Sequence, residues 1–223
     1  MELPPRLHCR EVQVEDDFCE LTDLIRAAYA PHAATGLRYW ATHQTVEDTA
    51  KRFAAGHGFV GILDGRVVAT VTVQEPDPSS KVPLLAEQGT WSFGQFAVTP
   101  LHKGKGFGRQ IHEFATAFAL QRGCQRMALH TAQPASALVA MYRSWGYAEA
   151  GTCDWRPHTN YLSVLMLKVL ESRSSQLASL DEVAAVEEAW GIETERRISE
   201  IESGAVQAIP IADALAQVRA SLK

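Results

Sequence analysis

Cysteine is sparse in this chain, and the spacings that bind metals or build disulfide frameworks are missing. The 223 residues contain four cysteines, none in a Cys-x-x-Cys pair, and eight histidines scattered along the sequence. This distribution lacks the common zinc motifs and gives no disulfide pattern. We therefore expect reduced thiols, a cytoplasmic location and no bound metal.

Long apolar runs and an excess of positive charge are also missing. No segment approaches the roughly 20 apolar residues that cross a bilayer, and the first residues lack a signal-peptide pattern. The formal net charge is −5, which does not favour general binding to nucleic acid. We therefore expect neither a membrane nor a nucleic acid as partner. The length allows one domain plus an appendage.

The most informative segment is rich in glycine and connects a predicted strand to a predicted helix. After a turn at Pro100, residues 103–108 read Lys-Gly-Lys-Gly-Phe-Gly, and Arg109 follows. Glycines let backbone amides approach a ligand closely, and the N-terminus of a helix attracts anions. The segment therefore predicts a phosphate-binding loop. Its spacing fits neither the Walker loop nor the dinucleotide fingerprint.

The helix after this loop is predicted from its apolar spacing. Phe107, Ile111, Phe114 and Phe118 follow one another at intervals of four, three and four, which places them on one helical face. Gly123 is suited to the C-terminus of the helix, where positive φ is common.

The strand, turn and loop together resemble motif A of the GNAT-type N-acetyltransferases. The match is Val98-Thr99-Pro100 followed by residues 103–108, with Lys103 at a position usually held by Arg or Gln. Lys keeps the charge but lacks the planar donor fork. The resemblance implies that the loop holds the pyrophosphate of acetyl-CoA, the co-substrate. The cofactor-binding residues it implies are Phe96, Ala97, Val98, Lys103, Gly104, Lys105, Gly106, Phe107, Gly108 and Arg109.

The remaining patterns predict the order of helices and strands. The first half is predicted to contain a strand in 7–14, a helix from Phe18, a ring-rich loop from Tyr29 to Gln44, and a helix capped by Thr45 and Asp48. A hairpin turning at Asp64-Gly65 follows, then a loop from Glu75 to Gly89 and a central strand with a bulge at Gly94-Gln95. The second half is predicted to contain strands in 126–131, 147–153 and 160–170, and a helix in 136–145. The order is that of the GNAT fold. We expect an α/β fold with a twisted, mostly antiparallel sheet of about seven strands flanked by helices.

The resemblance also implies two catalytic residues. Tyr142 lies in a segment similar to the family's Leu-Tyr-x-x-x-Gly-Phe, in which the tyrosine hydroxyl reaches the sulfur of CoA and acts as the acid. His130 lies twelve residues earlier, where one subgroup places a catalytic Glu, and an imidazole with a pKa near 6.5 could act as the base. Two alternatives stay open, a histidine that only closes a strand end and a base reached through a chain of waters.

Two departures from the family pattern leave a second function open. Ser92 stands where many members carry a Glu on the central strand, and Ala135 replaces an Asn. The first interpretation is an enzyme that transfers an acetyl group from acetyl-CoA to an amine by direct attack in a ternary complex. The alternative is a catalytically weak CoA-binding regulator, or an interaction protein of the toxin–antitoxin type.

The acceptor site is predicted in two loops that carry aromatic rings. The candidates for binding a small-molecule or peptide amine are Tyr39, Trp40, Trp155 and His158. They are aromatic and cationic more than acidic, which argues against a polyamine. Ordinary anchoring of the loops by these rings is the alternative.

The last part of the chain has a different composition. We predict an acetyltransferase domain in residues 1–171, a linker in 172–175 and a helical tail in 176–223. The tail resembles a family of addiction-module components in the segments Trp190, Glu193 to Ile198, Ser203-Gly204, Val206 and Ile209-Pro210. Its apolar stripe needs a partner surface, which leaves the first domain, a second copy of the chain or a separate protein open.

Overall fold

A seven-stranded sheet forms the centre of the protein. The computed structural model describes residues 5–170, which belong to a compact unit ending at Leu170. The strands are β1 His8–Glu11, β2 His57–Leu63, β3 Arg66–Gln74, β4 Thr90–Val98, β5 Arg126–Ala132, β6 Ala148–Asp154 and β7 Leu162–Val169. Their order is β1-β2-β3-β4-β5-β7-β6, and every pair is antiparallel except β4 with β5. The predicted mixed sheet is confirmed. The predicted linker and tail lie outside the described residues.

Helices cover both faces of this sheet. They are α1 Phe18–Ala34, α2 Val46–Ala54, α3 Pro83–Ala86, α4 Phe107–Leu120 and α5 Ser136–Ser144, with 3-10 turns at Trp40–Thr42 and Pro100–His102. Neighbouring residues of a strand point to opposite faces. Phe59 packs in the cluster that contains α4 and α5, whereas Val60 packs in the cluster that contains α1 and α2. None of the helices in 5–170 is long and apolar enough to cross a membrane.

Several elements form where local chemistry predicts them. Asp64 and Gly65 have φ of 49° and 77°, as a two-residue hairpin turn requires. Thr45 and Asp48 make both hydrogen bonds of a capping box at the start of α2, at 2.8 and 3.0 Å. Gly123 has a φ of 88° just beyond α4.

Three local predictions were wrong. Helix α1 continues through Pro31 to Ala34, where the sequence predicted a loop from Tyr29. Pro31 lies in the last turn, so its missing N–H removes a single helical bond, and the amides of residues 35–37 still bond to His32 and Ala33. A short helix, α3, interrupts the loop predicted at 75–89.

The third correction concerns the buried face of α4. Its fully buried apolar residues are Phe107, Ile111, Ala115 and Ala119, spaced four apart. Phe114 is 39% exposed and lies at the flank, where its ring contacts Phe59. The small alanines let the helix approach the sheet closely, which the positions of the aromatic residues could not indicate.

A bulge and a divergence of strands open the sheet at its centre. β4 and β5 pair only from Thr90 to Ser92, so the later residues of β4 have no strand partner on that side within residues 5–170. The pairing of β4 with β3 shifts between Thr70 and Thr72, which confirms the predicted bulge. The residue with positive φ is Gln95, at 46°, rather than Gly94.

Candidate functional site

Two cavities lie where β4 and β5 separate. The loop cavity, of about 430 Å³, extends toward the glycine-rich segment. The aromatic cavity, of about 340 Å³, is lined largely by rings. Both are lined by Tyr29, Phe96, Leu138 and Tyr142. A ligand in one cavity can therefore meet a ligand in the other beside Tyr142.

The glycine-rich loop presents open backbone amides. Gly104 and Gly106 have φ of 78° and 83°, and Gly106 caps the N-terminus of α4. The amides of residues 104–109 donate to no acceptor within residues 5–170. Donors at a helix N-terminus attract anions through hydrogen bonds and the helix dipole. The loop is therefore chemically suited to a phosphate group.

The predicted cations of the loop differ in what they contact. Lys103 donates from Nζ to the carbonyl of Ala28 at 2.7 Å, and burial lowers its pKa. It therefore ties the loop to α1 while lining the cavity. Arg109 also lines the loop cavity and pairs with Glu113 at 2.8 Å. Lys105 is exposed and is not among the lining residues.

Phe107 can contribute to the predicted cofactor set only through its backbone. Its side chain is 1% exposed and belongs to the core, so it can offer a ligand only its amide. Gly108 does line the loop cavity, and a Cβ there would lie 3.1 Å from Phe96 and 3.4 Å from Val98. This glycine lets α4 start close against β4.

The strand beside the loop cavity has free edge groups. Phe96, Ala97 and Val98 line the cavity on the side where β4 has no described partner strand. Their backbone groups can pair with an extended ligand arm as an added strand would. Loop and strand together fit a ligand with a phosphate head and an amide-bearing arm, which is the chemistry of acetyl-CoA.

Tyr142 lies at the junction of the two cavities. Its side chain is 4% exposed, and its hydroxyl makes no hydrogen bond within residues 5–170. Burial, with the neighbouring Tyr29, Tyr147 and Tyr39, raises its pKa well above the ordinary value. The phenol therefore keeps its proton at neutral pH and can donate it to a reacting atom.

His130 lines the aromatic cavity. Its ring is accessible from the cavity and packs against Trp155 at a centroid distance of 5.1 Å. Surrounding protein atoms, and then the charge of Arg52, lower its pKa to about 4. This shift of the pKa is downward from the value near 6.5 expected from the sequence, because the cavity disfavours the imidazolium form.

All four residues predicted for the acceptor site line the aromatic cavity: Tyr39, Trp40, Trp155 and His158. Trp40 and His158 lie ring to ring at 5.3 Å. Tyr39 is buried, and its hydroxyl bonds to Thr131 at 3.1 Å. It therefore joins its loop to β5 as well as lining the cavity.

Sequence reasoning missed two polar residues of the aromatic cavity. Tyr29, on α1, lines both cavities, and burial raises its pKa to about 12. Arg52 lies on α2, the helix predicted after Thr45, and was not singled out from the sequence. No local motif marks either residue, and helical periodicity alone could have placed Arg52 beside the buried Phe53. Ser92 is not among the residues that line the two cavities. The described part of the chain contains no cluster of His, Cys, Asp or Glu suited to a metal ion.

Comparisons with known proteins agree with this arrangement. Residues 20–147, more than half of the chain, match the family model described as "Acetyltransferase (GNAT) family". Residues 175–214 match a model described as "Putative addiction module component". The S-(2-succino)cysteine N-acetyltransferase of Bacillus subtilis (strain 168) is 29% identical over 143 residues, which cover 63% of this chain and 84% of the relative.

Solved structures show the same fold at low identity. A ribosomal-protein-alanine N-acetyltransferase from Brucella melitensis gives a TM-score of 0.55 at 18% identity and covers 74% of this chain and 100% of its own. A GNAT family acetyltransferase from Elizabethkingia anophelis, solved with acetyl-CoA bound, gives 0.55 at 11% identity and covers 74% and 99%.

Proposed function

This chain belongs to the acetyltransferase (GNAT) family and is an acetyl-CoA-dependent acyltransferase, and from that premise we propose that it acetylates the amine of a small acceptor by direct attack in a ternary complex. The observation that carries the proposal is the position of Tyr142. It lines both cavities, so one side chain can serve a cofactor in the loop cavity and an acceptor in the aromatic cavity.

The loop cavity supplies the cofactor contacts in this proposal. The amides of residues 104–109 and the side chain of Arg109 would hold the pyrophosphate. The free edge of β4 at residues 96–98 would hold the arm. When bound, acetyl-CoA supplies the thioester whose acetyl group moves to the amine.

Two residues of the chain account for the two proton transfers of the reaction, one away from the amine and one to the sulfur. The amine nitrogen forms a bond to the acetyl carbon as the carbon–sulfur bond breaks. Tyr142 donates its proton to the departing sulfur, a role suited to a phenol that stays protonated. His130, neutral at physiological pH, accepts the proton that the amine loses, directly or through water.

We propose an acceptor of the size of an amino acid. The aromatic cavity measures about 340 Å³ and is closed on several sides by rings, which suits a small molecule. The Bacillus subtilis relative is named for S-(2-succino)cysteine. That compound is therefore the first acceptor to test, together with common L-amino acids.

The experiment compares Tyr142→Phe with Tyr147→Phe in the full-length protein. The first removes a hydroxyl at the junction of the cavities, so kcat should fall by about 10²-fold or more while the Kd for acetyl-CoA is kept. Tyr147 lines neither cavity and bonds to His112 at 2.7 Å, so its variant should lose stability and keep kcat. CoA release and calorimetry are the measurements.

Two outcomes would count against the proposal. Absence of acetyl-CoA binding at hundreds of micromolar would remove the cofactor site, because a working site binds more tightly than that. Binding with no difference in turnover between Tyr142→Phe and the unchanged protein would favour the CoA-binding regulator.

A further inference from the structure

Arg52 brings a positive charge to the aromatic cavity. It follows Lys51 on α2 and is half-buried, and its guanidinium lies beside the bulge of β4. A Cβ on Gly94 would be 3.7 Å from Nη2, an ordinary contact distance, so the guanidinium lies close beside the backbone of Gly94.

The orientation of Arg52 is fixed by a buried amide. Its Nη1 donates to Oε1 of Gln44 at 2.5 Å. Gln44 is fully buried and donates from Nε2 to Thr49 at 2.7 Å and to Gln95 at 3.1 Å. These bonds direct the Gln44 oxygen toward Arg52. An amide oxygen positions the guanidinium but carries no charge to neutralise it.

No carboxylate of the described chain pairs with Arg52. Within residues 5–170, the ion pairs at 4.0 Å or less involve other side chains. Asp48, one turn earlier, accepts the amide of Thr45 in the capping box. The residues lining the aromatic cavity include neither Asp nor Glu. A desolvated cation without a counter-ion is costly, and an anionic ligand removes that cost.

We propose that Arg52 binds a carboxylate of the acceptor, so that the substrates are amines that carry a carboxylate, such as amino acids. One guanidinium neutralises the charge of one carboxylate, and its planar pair of N–H donors fits the two carboxylate oxygens. A polyamine would be repelled.

A bound carboxylate also acts on His130. The charge of Arg52 is one of the two causes that lower the pKa of His130. A carboxylate on Arg52 offsets that charge and makes the imidazole a stronger base when the acceptor is present. Recognition of the acid and removal of the amine proton are thereby linked through one side chain.

The inference rests on the proposed function and is tested with paired acceptors. Full-length protein with acetyl-CoA is assayed on common L-amino acids with uncharged side chains, each beside the carboxamide that replaces its carboxylate. We expect a preference for the acids, measured as the ratio of kcat/KM on an acid to kcat/KM on its amide, and Arg52→Gln should reduce that ratio by at least about 30-fold. Arg52→Lys should recover part of the preference, because it keeps the charge without the fork.

Lys51→Gln is the matched control. It removes the same charge one residue away, where Lys51 is exposed and pairs with Glu47, and the preference should persist. Equal rates on acids and amides, an acid preference unchanged in Arg52→Gln, or acetyl-CoA binding without acetylation of any acid would overturn the inference and leave the cofactor site standing. Failure to bind acetyl-CoA would instead remove the proposed function itself.

Discussion

His130 illustrates how surroundings set the chemistry of one residue. Its ring lines a cavity that also contains Arg52, His158 and Tyr142, and its pKa is lowered to about 4. The imidazole is therefore neutral at physiological pH and always able to accept a proton, although it is a weaker base than a free histidine.

We predict that His130 does not limit kcat/KM at any pH above about 5, because the free enzyme carries it in the neutral form. A fall in kcat/KM due to His130 should come only as the pH approaches the lowered pKa of about 4. His130→Gln should reduce kcat/KM and remove that acid limb. The rise at alkaline pH, which belongs to the acceptor amine, should be equal in both proteins. A limb between about pH 6 and 7 that disappears in the variant would contradict the lowered pKa.

The buried His112 should make the folded protein less stable in acid. It is 4% exposed, bonds to Tyr147 at 2.7 Å, and burial with nearby Lys168 and Arg109 lowers its pKa to about 4. The unfolded chain binds a proton near pH 6.5 and the folded protein does not. Stability is therefore complete above that pH and is lost as the pH falls toward 4, by about 3 kcal/mol in the free energy of unfolding.

Urea unfolding at several pH values measures this loss. His112→Gln should remove that share of the pH dependence, whereas a variant of the exposed His8 should keep it. An identical pH dependence in His112→Gln would show that this histidine is not the source.

Residues of the cofactor site were predicted from sequence where a motif marked them, and residues of the acceptor site from the rings of two loops. Tyr142 and the loop glycines stand in recognisable order. Arg52 does not, because its position in the cavity depends on α2 packing beside β4. Phe107 was assigned to the cofactor since it lies inside the motif, yet the start of α4 turns its ring into the core.

At the scale of elements, the start of α4 determines how the phosphate loop works. Gly104 and Gly106 hold positive φ, and the amides of residues 104–109 donate to no acceptor within residues 5–170. No atom lies within 4 Å of a Cβ built on Gly106, so an alanine there is strained only through its backbone.

We predict that Gly106→Ala costs about 1 kcal/mol of stability and weakens acetyl-CoA binding by about tenfold or more, because the amides lose their alignment. Gly123→Ala is the control at the other end of α4. Gly123 has a φ of 88° and equally open space, so it should show the same loss of stability and an unchanged Kd. Equal affinities in both variants would exclude a role for the loop amides.

The elements that sequence predicted well are those with local causes. The Asp64-Gly65 turn and the Thr45–Asp48 box each depend on residues within a few positions. The cavities depend instead on β4 and β5 separating after Ser92, a relation between segments more than thirty residues apart in sequence. Periodicity and turn chemistry carry no information about that separation.

At the scale of the whole molecule, the sequence of the tail makes a prediction of its own. The predicted stripe of Val183, Val186, Trp190, Ile198 and Ile201 needs a covering surface. We propose that the first domain or a second copy of the chain supplies it. Deleting residues 172–223 should then lower the melting temperature by at least about 3 °C or change the oligomeric state. Scanning calorimetry and light scattering measure both. A truncated protein that matches the full chain in both would favour a separate protein as partner.

The hydrogen bonds that hold Arg52 have a direction, and that direction bears on the acceptor proposed above. Donation runs from Arg52 to Gln44, from Gln44 to Gln95 and Thr49, and from Gln95 to Thr72. Gln44 lines neither cavity, yet its uncharged oxygen leaves the guanidinium available to a ligand. A glutamate at position 44 would place a permanent negative charge beside Arg52, and the guanidinium would then pair with that glutamate instead of with an acidic ligand. If Arg52 binds the acceptor carboxylate as we propose, substrate choice depends partly on the neutral side chain of Gln44, which lines neither cavity.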